Sequence, residues 1–277
     1  MSDTFVDKTS STTTHSWVED IGQRALRSPA GLRARLRFAN TALAAAVTVP
    51  RSLRTEVRAR TAEQLWQCGV RQLPLIAVLG LVLGLLIVGQ AVALLRQVSA
   101  QHYIGMLMVT VVMRELGPLL TAFLLAARAG TAMVVELGAL RVTGKVERAE
   151  KVGVRAMREL VVPRLKALAV ATQCLTVYLI FIALATGYVV AFLQGVPLRP
   201  GLYCRQLADA LHWLDFVLVG LKAALFGAVV AIVCCYHGLE RLLKIEEFSQ
   251  ATTRAVVESL ACCLVIDAIF LAAYLVR

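Results

Sequence analysis

Charge is scarce in this chain. Asp, Glu, Lys and Arg make up 17% of 277 residues, where an average soluble domain carries about 25%. So little polar surface cannot cover the outside of a soluble protein of this size. Cysteine is sparse too: seven residues, an odd number, do not make the disulfide framework of a small secreted domain. The pairs Cys234-Cys235 and Cys262-Cys263 sit in apolar runs, where Cys acts as a small hydrophobe. His15, His102, His212 and His237 are scattered and share no ligand spacing with Cys, so no metal site is expected. Phosphate-cradling G-x-x-x-x-G-K-[ST] is missing, as are G-x-G-x-x-G, H-E-x-x-H and G-x-S-x-G. The chain is not expected to be an enzyme. No segment alternates over about ten residues, which sets aside a membrane β-barrel.

What the chain has is apolar length. Apolar residues are 58% of it and its mean hydropathy is +0.72. Residues 75–95 hold no charge over 21 positions, enough to cross about 30 Å of hydrocarbon as a helix. Residues 104–135 are apolar for 32 positions, broken by Arg114-Glu115, Pro118 and Arg128. Residues 167–193, 216–236 and 255–276 supply three more candidates. The expected fold is therefore all-α and polytopic, with five transmembrane helices. The second is too long to stand upright and should tilt or kink at Pro118.

The net charge of +11 is informative through its placement. Lys and Arg number 11 before the first span, 8 in 138–166 and 3 in 238–254. The intervening loops and the C-terminal tail hold 1, 2 and 1. Basic residues concentrate on the cytoplasmic side of membrane proteins, so the N-terminus should lie inside and the C-terminus outside. These charges flank apolar runs with no compact basic-aromatic module between them, so nucleic acid is not the expected partner. Residues 1–16 read as a polar, disordered tail without the apolar core of a signal peptide. Residues 17–73 read as a basic interfacial segment. Leu32, Leu36, Ala39, Leu43 and Val47 share one helical stripe there, with Arg33, Arg35 and Arg37 off it. Such a helix lies in the membrane interface, or else packs on a partner.

Several polar residues stand where lipid penalises them, and each should face protein or water. They are Arg114, Glu115, Arg128, Lys222, Glu258 and Asp267. Lys222 is close enough to its span's start to snorkel. Arg254 and Glu258, four apart, form an expected structural pair on one helix face. Asp267 is nine residues from Glu258 and so faces away from it. It needs a partner on another helix or subunit, or a protonated carboxyl. The small residues Gly80 and Gly84, and those of Ala126–Gly130, allow close helix approach and hint weakly at a dimer face.

The run Arg114-Glu-Leu-Gly-Pro-Leu-Leu-Thr-Ala, followed by Ala127-Arg-Ala-Gly-Thr-Ala and Val135-Glu-Leu-Gly-Ala-Leu-Arg-Val-Thr, resembles the signature of the MlaE/YrbE permeases. Val161-Val-Pro-Arg-Leu and Ser249-Gln-Ala-Thr-Thr-Arg-Ala-Val-Val, with Asp267 in the next helix, extend the likeness. So do Glu63-Gln-Leu-Trp-Gln-Cys-Gly-Val and Gly89-Gln90. It covers roughly residues 20–275. The resemblance implies a homodimeric membrane subunit of an ABC lipid transporter in the bacterial inner membrane. Its implied partners are cytoplasmic ATPase subunits, which bind ATP and Mg that this chain does not, and an MCE-domain protein on the outer face. It also leaves room for a small STAS-like accessory subunit. Arg114, Glu115, Arg128, Gln90 and Asp267 are the expected lipid-pathway or dimer-cavity residues. A cytoplasmic coupling segment is expected at 138–153, with Arg141, Lys145, Glu147 and Arg148 as its polar contacts. Two stretches depart from the family pattern. Gly144–Ala149 lacks the usual acidic-Gln pair followed by Ile-Asp-Ala-Leu, and Glu246–Ser249 replaces a Gly-rich approach to the last helix.

Two other classes compete with this reading. A secondary carrier could use Glu115 and Asp267 as proton relays, although no internal repeat of the kind common in such folds is visible. A membrane scaffold could use the same helices only to anchor partners. Dependence on a separate ATPase discriminates the first; loss of lipid movement with assembly intact discriminates the second.

Overall fold

The computed structural model describes residues 29–47, 54–91, 106, 108–144, 157–194, 200–211, 213–240 and 248–275. The expected tail at 1–16 lies outside them. So do Lys145, Glu147 and Arg148 of the expected coupling segment.

All elements among the described residues are helical. Helix α1 is Pro29–Val47 and α2 is Arg54–Cys68; a 3-10 turn, Val70–Gln72, leads into α3, Leu73–Leu83, and a π-helical turn, Gly84–Val88. A π-helical run, Met108–Leu116, precedes α4, Gly117–Leu125; a second π turn, Ala126–Gly130, joins it to α5, Thr131–Val142. Then follow α6 (Val162–Leu193), α7 (Pro200–Ala210), α8 (Trp213–Glu240) and α9 (Phe248–Leu275).

Among the described residues, five stretches are long and apolar enough to cross a membrane: Val57–Ala91, Met108–Val142, Glu159–Leu193, Trp213–Leu239 and Ser249–Tyr274. The expected count therefore stands, with corrected boundaries. The basic segment does not end at residue 73 as a unit apart, because α2 runs into the first span. The second span reaches Val142, so residues 138–142 of the expected coupling segment form its last helical turn. Gly144 closes that end in the left-handed region, φ 65°, which residues without a Cβ reach at little cost. The loop 195–215 contains α7, which hydrophobic patterning missed.

Helix α6 is the spine, packed against α2, α3, α4 and α8. Its inward side chains join Ile76, Leu125 and Phe226 in the main core. The close approach comes from glycine. A Cβ on Gly84 would stand 2.6 Å from the Ala183 carbonyl oxygen, and one on Gly227 would stand 2.6 Å from that of Leu168. A Cβ on Gly80 would meet the Leu179 oxygen at 3.0 Å, and one on Gly130 the Cys234 sulfur at 2.8 Å. The small-residue stripes thus serve contacts within one chain, where the sequence hinted at a dimer face. Phe181, Phe192, Val265 and Ile269 point outward, as they should in a protein whose solvent is lipid.

The spans alternate in direction, giving the bundle two ends. The proximal end carries α1, with Phe38 and Ala42 packed near Leu137, Val161 and Cys235. The distal end carries α7, whose Tyr203 donates to the Leu184 carbonyl oxygen at 3.2 Å.

Candidate functional site

Consecutive residues on a helix point about 100° apart, so Arg114 and Glu115 address different neighbours. Arg114 donates from Nη2 to Asp215 Oδ2 at 2.8 Å, and its guanidinium lies 5.3 Å from the Tyr274 ring centroid. Glu115 Oε2 accepts from Lys222 Nζ at 2.9 Å. The adjacent pair therefore does not close on itself. Pro118 contributes here: it has no N–H for the carbonyl four residues back, that of Arg114. Lys222 Nζ donates to that oxygen at 3.0 Å. The same ammonium lies 2.6 Å from Asp267 Oδ1.

The arrangement follows from spacing. Asp215 and Lys222 are seven residues apart on the fourth span, and Asp267 and Tyr274 are seven apart on the fifth. Two helical turns return each pair to nearly the same face. Three spans thus bring two cations and three carboxylates together at the distal end. Lys222 is fully buried, and the snorkelling expected for it is overturned because carboxylates on two neighbouring spans hold its charge inside. Asp267 finds its partner in another helix of the same chain. Burying these groups unpaired would cost several kcal/mol each, so the network must form as a whole.

Not every expected site residue joins it. Arg128 and Gln90 are exposed on the second and first spans. Asp215 and Tyr274 were missed, and the seven-residue spacing was the signal that could have found them.

The proximal end has its own ion pairs. Arg164 Nη2 donates to Glu136 at 3.0 Å and Arg60 Nη1 to Glu159 at 3.1 Å. Glu258 binds Arg35 of α1 and, at 2.7 Å, His237. The expected Arg254–Glu258 pair does not form: Arg254 is exposed, while Glu258 turns toward α1 and the fourth span. Arg141 occupies the last turn of α5. Among the described residues no group of three or more His, Cys, Asp and Glu could hold a metal ion.

Five apolar helices around a largely buried, mixed-charge network define a multi-pass membrane protein. Residues 61–273 match the family model described as Permease MlaE, and the chain belongs to that family. The intermembrane phospholipid transport system permease protein MlaE of Haemophilus influenzae is 31% identical over 199 residues, covering 71% of this chain and 76% of that one. A probable ABC transporter permease of Rickettsia felis is 26% identical over 86% of this chain and 90% of its own. The chloroplastic protein TRIGALACTOSYLDIACYLGLYCEROL 1 of Arabidopsis thaliana is 26% identical over 72% of this chain and 57% of its own.

Proposed function

We propose that this permease is the membrane-spanning subunit of an ABC transporter that moves phospholipid or a related lipid between the inner membrane and an MCE-domain protein. ATP and Mg are bound by separate cytoplasmic ATPase subunits. The observation that carries the reading is the buried distal network. A phospholipid has an anionic or zwitterionic headgroup and two apolar tails, so its route needs charges at headgroup height within an apolar wall. Arg114 has the planar fork that suits phosphate, and its buried Nε has no hydrogen-bond partner among the described residues. The names of the relatives in Haemophilus and Rickettsia, which specify phospholipid transport and ABC permeases, support the same reading.

In a homodimer the network occurs twice around a two-fold axis and faces one cavity. The proximal end, with its basic segments, is the cytoplasmic one. There Arg141, with Lys145, Glu147 and Arg148 beyond it, meets the ATPase. The test is reconstitution. The chain is co-purified with a P-loop ATPase and an MCE-domain protein encoded beside it, then placed in liposomes with labelled phospholipid. ATP-dependent transfer of label to or from the MCE protein is expected. A complex that assembles but neither binds nor moves lipid would overturn the proposal.

A further inference from the structure

Helix α1 has an inner and an outer face. Arg35, Phe38 and Ala42 fall toward the bundle; Leu36 and Leu43 face outward beside Arg33 and Arg37. Its apolar grip on the spans is small, since Ala42 is its only fully buried side chain among those described. An element with so few buried contacts is held near the low end of local stability. Among the described residues, side-chain polar contacts between α1 and the spans centre on Glu258. Glu258 of the fifth span accepts Arg35 Nη1 on Oε1, and its Oε2 lies 2.7 Å from His237 Nε2 of the fourth span. The Arg35 guanidinium sits 5.8 Å from the Tyr236 ring centroid, and Phe38 meets that ring edge-on at 5.5 Å. The fourth and fifth spans are therefore joined to α1 through one carboxylate, 223 residues along the chain from Arg35.

We propose that Glu258 is a latch. While it holds Arg35 and His237, α1 is closed on the proximal ends of the fourth and fifth spans. When it lets go, α1 swings off and the five spans keep their packing. The latch gives the permease a joint at its proximal end that opens without unfolding the bundle. This goes beyond the transport reading, and its test reads neither lipid nor ATP.

The test is thiol labelling of the full chain in its membrane. Ala46 is half-buried and packs on the main core, so Ala46→Cys reports whether α1 is docked. Trypsin releases it in the peptide 38–51, which contains no native cysteine. Against the Ala46→Cys background, Glu258→Gln and Arg35→Gln are each expected to speed maleimide labelling at this site roughly tenfold, as loss of a charge-assisted hydrogen bond implies. The exchange Arg35→Glu with Glu258→Arg restores the attraction and should slow labelling again. Buried Cys234, which packs against Gly130 of the second span, should stay protected throughout. Labelling of Glu258→Gln at the parent rate overturns the latch, and so does an exchange variant that labels as fast as the single ones. Exposure of Cys234 along with position 46 overturns the claim that α1 opens alone.

Discussion

Lys222 Nζ lies 2.6 Å from Asp267 Oδ1, tying the fourth span to the fifth inside the apolar bundle. The same ammonium serves Glu115 on the second span. One cation thus stands between two carboxylates that would repel each other in its absence. Asymmetry follows: Asp267 has one cation, while Lys222 answers to two anions.

Lys222→Met should therefore destabilise the permease more than Asp267→Asn. The first leaves Glu115 and Asp267 facing each other without a counter-charge, a loss of about 3–5 kcal/mol for a broken buried pair. The second leaves Lys222 paired with Glu115 and costs less. Melting temperatures of the detergent-purified variants give the order. Equal melting points, or the reverse order, would show that Lys222 is not the centre of the network.

Glycine contacts make a second ranking. A Cβ at Gly227 would stand 2.4 Å from Thr172 Oγ1 and 2.6 Å from the Leu168 carbonyl oxygen, whereas one at Gly89 meets nothing closer than 3.5 Å. Gly227→Ala must push α8 off α6, at the roughly 1–3 kcal/mol typical of overpacking. Gly89→Ala should unfold within a degree or two of the parent. A fluorescence-detected thermal unfolding series is sufficient to read the difference.

The five spans were legible because uncharged apolar length is a direct demand of the bilayer, and Arg114, Glu115 and Asp267 stood out because lipid penalises them. Asp215 escaped because its own charge cut the fourth apolar run at residue 216, placing it in a loop. Lys222 then looked near enough to the interface to snorkel, since distance from a helix end says nothing of carboxylates on other spans. Arg254 and Glu258 illustrate the limit of i, i+4 reasoning: the spacing makes neighbours possible, but α1 and the fourth span offered Glu258 better partners. Arg35 supplies one of them from 223 residues away, and no local pattern encodes that. Gly80 and Gly84 were recognisable as a close-packing stripe, yet nothing in their spacing says which helix fills the groove.

Topology gives a third prediction. An odd number of spans puts the termini on opposite sides, and the basic residues cluster at the proximal end. A reporter inserted near Gly144 should read cytoplasmic and one fused after Arg277 should read outside. Protease protection in right-side-out vesicles makes an independent measurement. A cytoplasmic C-terminus would reverse the proposed orientation of the lipid site and its partners.

The fourth prediction separates a lipid site from a structural clamp. Glu115 accepts from Lys222 at 2.9 Å, and Glu115→Gln retains a carbonyl oxygen there with nearly the same shape. Lys222 still has Asp267, so the fold should survive the change. What alters is charge: with all groups ionised, the five-residue network goes from one net negative charge to none. If the network orients a headgroup, loss of that charge loosens Lys222, whose ammonium also holds the Arg114 carbonyl oxygen, and with it the position of the Arg114 fork. Lipid transfer should then fall roughly tenfold, the factor that about 1.4 kcal/mol between charged and neutral hydrogen bonding implies. On the proposed assembly, the variant should still purify as a dimer with the ATPase. Quantifying phospholipid per dimer by mass spectrometry, beside size-exclusion profiles, covers both outcomes. If the dimer dissociates while the surviving dimers carry their full lipid complement, Glu115 acts as a clamp and the headgroup is held elsewhere.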